Sequence, residues 1–382
     1  MRFRDTPAEA AFRSELRTWL ARNAPAEKDC VTFEQQHEWQ RVLAAAGWVG
    51  VAWPVEHGGR GASLIEQAIF NEEITRARAP QPINAIGLGM VGPTIMAVGT
   101  REQKDRYLQK ILAADEIWCQ GFSEPGSGSD LGSLRTRAAA DGDDFVVNGQ
   151  KVWTSFGNVA DRCALLARTD PEAGKYQGIT YFLLDMHTPG VEVRPLRQLN
   201  GDAEFCEIFL TDVRIPRENI LGEINGGWKV AMTTLMHERG TFGFTLVTDA
   251  RIKLQELVAL ATAEGRDGSR PVDDPVVRQR LAQLYVDVET MWLNAVRGLS
   301  ATMKTGIPSP EASLSKLGWS ETTQRIAALA VEILGPAALV TSGLSPWPQV
   351  QLRSLAHTIE AGTSEVLRNS IAERVLGLPR YK

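Results

Sequence analysis

Apolar positions in the N-terminal third recur at helical spacing. Thr6-Pro7-Ala8-Glu9 reads as a capping box with proline at the first helical position, and Phe12, Leu16, Trp19 and Leu20 follow on one side. Similar starts at Thr32 to Gln35, Ser63 to Glu66 and Thr100 to Gln103 predict further helices, with the loop Trp53 to Ser63 between two of them. The first ~115 residues are therefore predicted to be helical. From about Ile117 the texture changes: CALLAR, ITYFLLDM, VEVRPL and FCEIFLTDVRI read as β-rich runs, with Asp141-Gly142 and Asn148-Gly149 as turn signals. After Gly226-Gly227 the helical period returns, broken near Gly306 to Pro310 and at Gly335-Pro336. The pattern predicts an α+β chain in three parts: a helical domain over 1–116, an antiparallel β domain over 117–222 and a helical bundle over 223–382.

Composition narrows the chemistry. A net charge of −5 with basic residues interspersed among acids argues against a nucleic-acid partner, which needs Lys and Arg clustered on one face. Cys30, Cys119, Cys163 and Cys206 are far apart and share no CxxC or Cys/His spacing, so reduced, buried thiols are expected, with neither a metal site nor a disulfide framework. The start MRFRDTPAEAAFRSEL lacks the apolar stretch of a signal peptide, and no run approaches the ~18 apolar residues of a membrane span. A cytoplasmic protein is the expectation.

Two stretches carry candidate chemistry: GFSEPGSGSDLGS, from Gly121 to Ser133, and NGQKVWTSFGN, from Asn148 to Asn158. On composition alone the first reads equally as a flexible turn. Its glycines do not spell GxGxxG and lead into β-type sequence, which argues against a dinucleotide-binding βαβ unit. No GxSxG is present, and His237-Glu238 is followed by Arg-Gly-Thr with no histidine at 241, so a hydrolase elbow and a zinc-protease helix are both unsupported. Taken together, the two stretches read as a flavin site: small residues let backbone N–H groups approach a ligand edge, and Trp153 with Ser155 offers a ring face and a hydrogen bond.

With these motifs in this order, and with the ending AGTSEVLRNSIAERVLGLPR, the chain resembles the acyl-CoA dehydrogenases over essentially its whole length. The resemblance implies FAD as cofactor, oxidation of an acyl-CoA thioester to the 2,3-enoyl-CoA, and an electron-transferring flavoprotein as acceptor. It also implies that Phe122 and Ser123 line the flavin ring, that Gly128 and Ser129 approach the FAD pyrophosphate or the pantetheine arm of the substrate, and that Trp153 stacks beside the ring. Ser155 is then near flavin N5, where the β hydrogen is delivered, and Thr363, with Glu365 two residues on, holds FAD from the C-terminal side. Arg239 is a further substrate-side candidate.

The family commonly places its base immediately before Gly-Thr in the last motif, where this chain has Ala361. The Ala361 backbone N–H still serves to polarise a thioester carbonyl, but the side chain cannot accept a proton. Glu360 lies one residue away. Other branches use a Glu-Arg pair early in the C-terminal domain, here Glu238-Arg239. Glu238 falls on a stripe with Ala231, Leu235 and Phe242, and its helical neighbours Thr234, Leu235, Thr241 and Phe242 include no cation. A carboxylate desolvated on such a face is a competent base. The expected interface arginine is replaced by GRDGSRPVDDP, with Arg266 or Arg270 as substitutes, and Leu334-Gly335-Pro336 lacks one N–H donor. These departures resemble bacterial members acting on bulky or steroid side-chain thioesters, as a homotetramer or as a heterotetramer with a second, diverged chain. Two other readings stay open: a non-catalytic partner subunit, and a flavin oxidase or monooxygenase on the same fold.

Overall fold

The computed structural model describes residues 4–26, 29–30, 32–237, 242–265, 268–306, 312–340 and 345–380. In chain order the first five helices are α1 (Pro7–Asn23), α2 (Phe33–Ala45), α3 (Leu64–Arg76), α4 (Gly92–Val98) and α5 (Arg101–Ala113). Strands β1 (Trp118–Gly121), β2 (Arg137–Asp141), β3 (Asp144–Ser155), β4 (Arg162–Arg168), β5 (Ile179–Asp185), β6 (Val191–Leu196) and β7 (Phe205–Pro216) follow. The chain ends with α6 (Gly227–His237), α7 (Phe242–Thr262), α8 (Pro275–Thr305), α9 (Ala312–Leu334), α10 (Trp347–His357) and α11 (Ser364–Arg374). Helices, strands and helices thus succeed one another in the predicted order. No helix among the described residues is long and apolar enough to cross a membrane.

Contacts divide the chain into two compact units, one of Met1–Asn23, Leu64–Arg78 and Arg239–Lys382, the other of Ala24–Ser63 and Ala79–Glu238. In the first unit α7 buries Val247, Ala250, Leu254, Leu257 and Ala261, and α8 buries Leu281, Leu284, Val288, Met291 and Ala295. Both series step by three and four, which keeps one stripe facing the shared core with Ile326 and Leu329 of α9. α1 joins α3 through charge as well as packing. Glu73, 2% exposed, accepts from Arg13 at 2.5 Å and from Arg17 at 2.5 and 2.9 Å.

The second unit holds a seven-stranded sheet in the order β1-β4-β2-β3-β7-β6, with β5 also paired to β4. The pairs β2–β3, β3–β7, β4–β5 and β6–β7 are antiparallel. β1 runs parallel to β4, and β2 meets β4 in parallel at Arg137 and Arg168, which the alternation of residues could not reveal. Gln40 and Asn84, both fully buried, bind the helices of this unit to its sheet. Gln40 Nε2 donates to Ile111 O and Leu112 O and its Oε1 accepts from Asn84 N, while Asn84 Oδ1 accepts from the Trp118 N–H that starts β1.

The helix starts are local features and form where the spacing puts them. Thr6 with Glu9, Thr32 with Gln35 and Thr100 with Gln103 all make reciprocal capping boxes, and α3 begins directly after Ser63. One turn signal is overturned. Asp141-Gly142 does close the β2–β3 hairpin, but Asn148-Gly149 lies inside β3 at a bulge. Asn148 is taken up by Asp212 on the neighbouring strand, donating from Nδ2 to Oδ1 at 3.0 Å and accepting the Asp212 N–H at 2.9 Å. Gly149 is there because a Cβ would come within 2.5 Å of Thr136 Oγ1. All four cysteines are free and buried.

Candidate active site

The Gly-rich stretch leaves β1 and folds back at once. Glu124 and Ser127 exchange two backbone hydrogen bonds of 2.9 Å, closing Glu124-Pro125-Gly126-Ser127 into a tight turn, and Ser127 Oγ donates to Asp130 O at 2.7 Å. Beyond the turn Gly128 and Ser129 are exposed, and a Cβ at Gly126 or Gly128 would meet nothing within 4 Å, so this backbone is open to a ligand. The Phe122 ring, by contrast, is turned inward. It is 5% exposed and packs edge-on against Tyr181, centroids 5.8 Å apart at 87°, which leaves backbone rather than ring to meet anything outside.

β3 carries the second stretch. Between the pairs Lys151 with Ile208 and Thr154 with Cys206, β3 advances three residues while β7 advances two, a one-residue bulge. Val152 turns inward and Trp153 outward, 61% exposed, with φ of +60°, a left-handed backbone that a large side chain rarely adopts. A strained backbone and an exposed indole at one position make Trp153 a candidate ligand-facing residue and exclude it from the core. Phe205 backs the indole edge-on at 6.1 Å. The hydroxyls of Ser123 and Ser155 make no hydrogen bond among the described residues, so both are available beside it.

What holds loop and bulge together was not singled out from sequence. Lys151, fully buried, donates from Nζ to Glu124 Oε1 at 2.8 Å and to Phe122 O at 3.1 Å. Glu124 also accepts the N–H of Thr136 at 2.8 Å and of Arg135 at 2.7 Å. Burial works against the Glu124 charge, but Lys151 and these donors outweigh it and hold the carboxyl below its ordinary range. An ionisable pair inside two otherwise small-residue motifs was the available signal.

A cleft of about 390 Å³ adjoins the same stretch, lined by Gly132, Ser133, Arg135, Arg137, Arg168 and Lys175 among others. Arg168 fixes its floor, donating to the carbonyls of Gly132, Leu134, Lys175 and Gln177. Lys175 is paired with Asp130 at 2.6 Å. Arg135 and Arg137, two apart and exposed, make no ion pair among the described residues, and Arg137 stands directly across from Arg168. Like charges so placed repel, which an anion would relieve. The alternating cations of Leu134-Arg135-Thr136-Arg137 were legible, but not what lay opposite them.

In the other unit, the turn before α11 presents Ala361. Its φ is +50° and that of Gly362 is +92°; Ala361 is exposed and its N–H meets no acceptor among the described residues. α9 braces this turn, Lys316 Nζ donating to His357 O at 2.6 Å and to Gly362 O at 2.8 Å. Thr363 is the N-cap of α11, and its Oγ1 accepts from Val366 N at 3.2 Å. Glu365 is exposed in the first turn, and its own backbone N–H and the Thr363 hydroxyl hold its carboxyl low.

Glu360 is fully engaged. Arg353 donates to its two oxygens at 3.2 and 2.8 Å, and His357 Nδ1 lies 2.7 Å from Oε1. Burial pushes this carboxyl up, yet the bonds from His357 and Arg353 prevail and hold it down to about 2. Glu238 and Arg239 lie outside the described residues, as does Arg266; α6 is described to His237 and α7 from Phe242. Arg270 pairs with Asp273 at 2.8 Å. Among the described residues no cluster of His, Cys, Asp and Glu could hold a metal ion.

Comparison with known proteins decides the family. Residues 6–115 match the model of the acyl-CoA dehydrogenase N-terminal domain, 119–213 that of the middle domain and 225–376 that of the C-terminal domain. The chain belongs to the acyl-CoA dehydrogenase family. It is 40% identical over 386 residues to acyl-CoA dehydrogenase IpdE1 of Mycobacterium tuberculosis, covering 97% of both chains. Among solved structures it matches the Tcur3481-Tcur3483 steroid acyl-CoA dehydrogenase with a TM-score of 0.87 at 34% identity, and the ChsE4-ChsE5 complex of Mycobacterium tuberculosis with 0.86 at 34%, each covering all of both chains. Acyl-CoA dehydrogenases are oxidoreductases that use FAD, and the β-domain surface fits that cofactor: an outward indole for a flat ring, free hydroxyls beside it and a loop whose backbone a phosphate or ring edge can approach.

Proposed function

We propose that this chain removes the α proton of an acyl-CoA thioester with Glu238 and holds the thioester carbonyl on the Ala361 N–H. One observation carries the choice of base: Glu360, the carboxylate beside Ala361, is committed to Arg353 and His357 and titrates near 2, so at neutral pH it has almost no tendency to accept a proton. FAD, when bound, supplies the acceptor for the β hydride. Trp153 walls the ring, Ser123 and Ser155 offer hydrogen bonds at its edge, Gly128 and Ser129 give backbone to the pyrophosphate or the pantetheine arm, and Phe122 contributes main chain only. Thr363 and Glu365, at the head of α11, are the cofactor contacts on the C-terminal side. Arg239 remains a substrate-side candidate.

The acyl group we propose is bulky, of steroid side-chain type, and the working assembly is a heterotetramer with a second chain of the same family. Support comes from the relatives named for steroid acyl-CoA dehydrogenation and for a two-protein complex. The absence of the usual interface arginine motif from GRDGSRPVDDP, where Arg270 is already paired with Asp273, points the same way. The test is anaerobic addition of acyl-CoAs, from short-chain to steroid-like, to the chain purified alone and co-expressed with a candidate partner. Flavin absorbance is expected to bleach with the bulky thioesters, at fewer than one FAD per chain. One FAD per chain in the lone protein would refute the paired assembly, and rapid peroxide formation in air would favour an oxidase.

The basic cleft suits the phosphates at the far end of CoA. Replacing Arg135 and Arg137 by alanine is expected to raise KM for acyl-CoA about tenfold, the loss of one or two charge-assisted contacts, with kcat and FAD content unchanged. The same variant should treat an acyl-pantetheine, which carries no phosphate, as the wild type does; equal losses on both substrates would remove the cleft from the reading.

A further inference from the structure

We infer that the buried Lys151–Glu124 pair is the positioning device of the flavin-facing surface, setting the separation between the 122–129 loop and the Trp153 bulge. This rests on the FAD reading above and adds two residues that touch no ligand.

The geometry is a clamp between three segments that are distant in sequence. Lys151 stands at the foot of the bulge, opposite Ile208, and its stem crosses β1 at Gly121, where a Cβ would lie 3.6 Å from Lys151 Cγ and 2.8 Å from Cys163 Sγ. From there its ammonium reaches both sides of the loop entrance, Phe122 O and Glu124 Oε1. Glu124 in turn accepts the backbone N–H groups of Arg135 and Thr136, where the loop re-enters the sheet. The main chain adds one more tie, Val152 N to Ser123 O at 3.0 Å. Entrance, exit and bulge therefore share a single pair of charges, with Lys151 fully buried and Glu124 9% exposed.

An apolar pair of similar volume would fill this space. What it could not do is accept two backbone N–H groups on one carboxylate while binding a carbonyl through the ammonium, so the charges specify a relative position that packing alone leaves soft. The exposed Trp153, held at φ of +60° two residues from Lys151, is the group whose aim depends on it.

The decisive comparison sets the wild type against Lys151→Met and the double variant Lys151→Met/Glu124→Gln, which removes both charges. Measured for each, in the assembly co-expressed with the partner chain, are the melting temperature, the FAD dissociation constant, the quenching of flavin emission by Trp153, and kcat against KM. The single variant leaves a carboxylate buried without its counter-ion and is expected to melt early. The double variant is expected to recover much of the melting temperature yet bind FAD on the order of tenfold more weakly, with less quenched flavin and a lower kcat. Wild-type affinity and quenching in the double variant would overturn the inference, as would a loss of FAD that simply follows melting. If neither charge-removing protein folds, Glu124→Asp carries the same test, because it keeps both charges and shortens the tie by one methylene. A wild type that neither binds FAD nor quenches it would instead remove the underlying reading.

Discussion

Glu238→Gln is expected to lower the rate at which an acyl-CoA reduces the flavin by about 10³-fold while FAD content stays at the wild-type level. Glutamine keeps the size and polarity of the side chain but cannot take the α proton. Two alternatives are weakened by the turn before α11: position 361 has only a methyl group, and Glu360 is pinned by a guanidinium and an imidazole. Stopped-flow mixing of the oxidised variant with excess thioester reads the step directly. Fast reduction in that trace would show that the proton leaves by another route. The companion variant Glu360→Gln should keep most of its chemistry if base and brace are different residues, and any loss should trace to the aim of the Ala361 N–H.

Acid is expected to unfasten the helical unit at the same turn. The Glu360 carboxyl is depressed from 4.5 to about 2 in the folded protein, so the unfolded state takes up its proton first as pH falls. The stabilisation is complete above about 4.5 and is lost progressively towards 2. A shift of that size corresponds to about 3 kcal/mol, a large part of what holds a domain together. Thermal melts of wild type and Glu360→Gln between pH 6 and pH 2.5 should differ most at pH 6 and converge in strong acid. Parallel curves would mean that the Arg353–His357–Glu360 contact adds nothing to folding. The difference between the two proteins is the measured quantity because other carboxylates of this unit are also held below their ordinary range, Glu73 among them through Arg17 and Arg13.

Much of the architecture is local in origin. A threonine and a Glu or Gln three residues on meet because one helical turn brings them together, so Thr6, Thr32 and Thr100 could be read as starts with no knowledge of their surroundings. The stripes of α7 and α8 follow from the same arithmetic, as does the succession of helices, strands and helices. The family motifs were equally legible, and with them Trp153, Ser155 and the replacement of a glutamate by Ala361.

Other features depend on what lies across from a residue. Asn148-Gly149 has the composition of a turn but sits in a strand, because Thr136 and Asp212 are its neighbours in the sheet. Phe122 belongs to the loop motif yet turns its ring to Tyr181, and Arg137 opposes Arg168 only once β2 meets β4. Lys151 reads as an ordinary strand lysine until the loop 27 residues away brings Glu124 to it. The order of elements was legible in the residues because it rests on spacing within a turn of helix or along a strand, and the motifs carried the family resemblance, which in turn implied FAD. Which of those residues are exposed, as Trp153 is, and which are buried and paired, as Lys151 and Glu124 are, came only with the fold, because burial and charge pairing depend on segments that folding brings into contact.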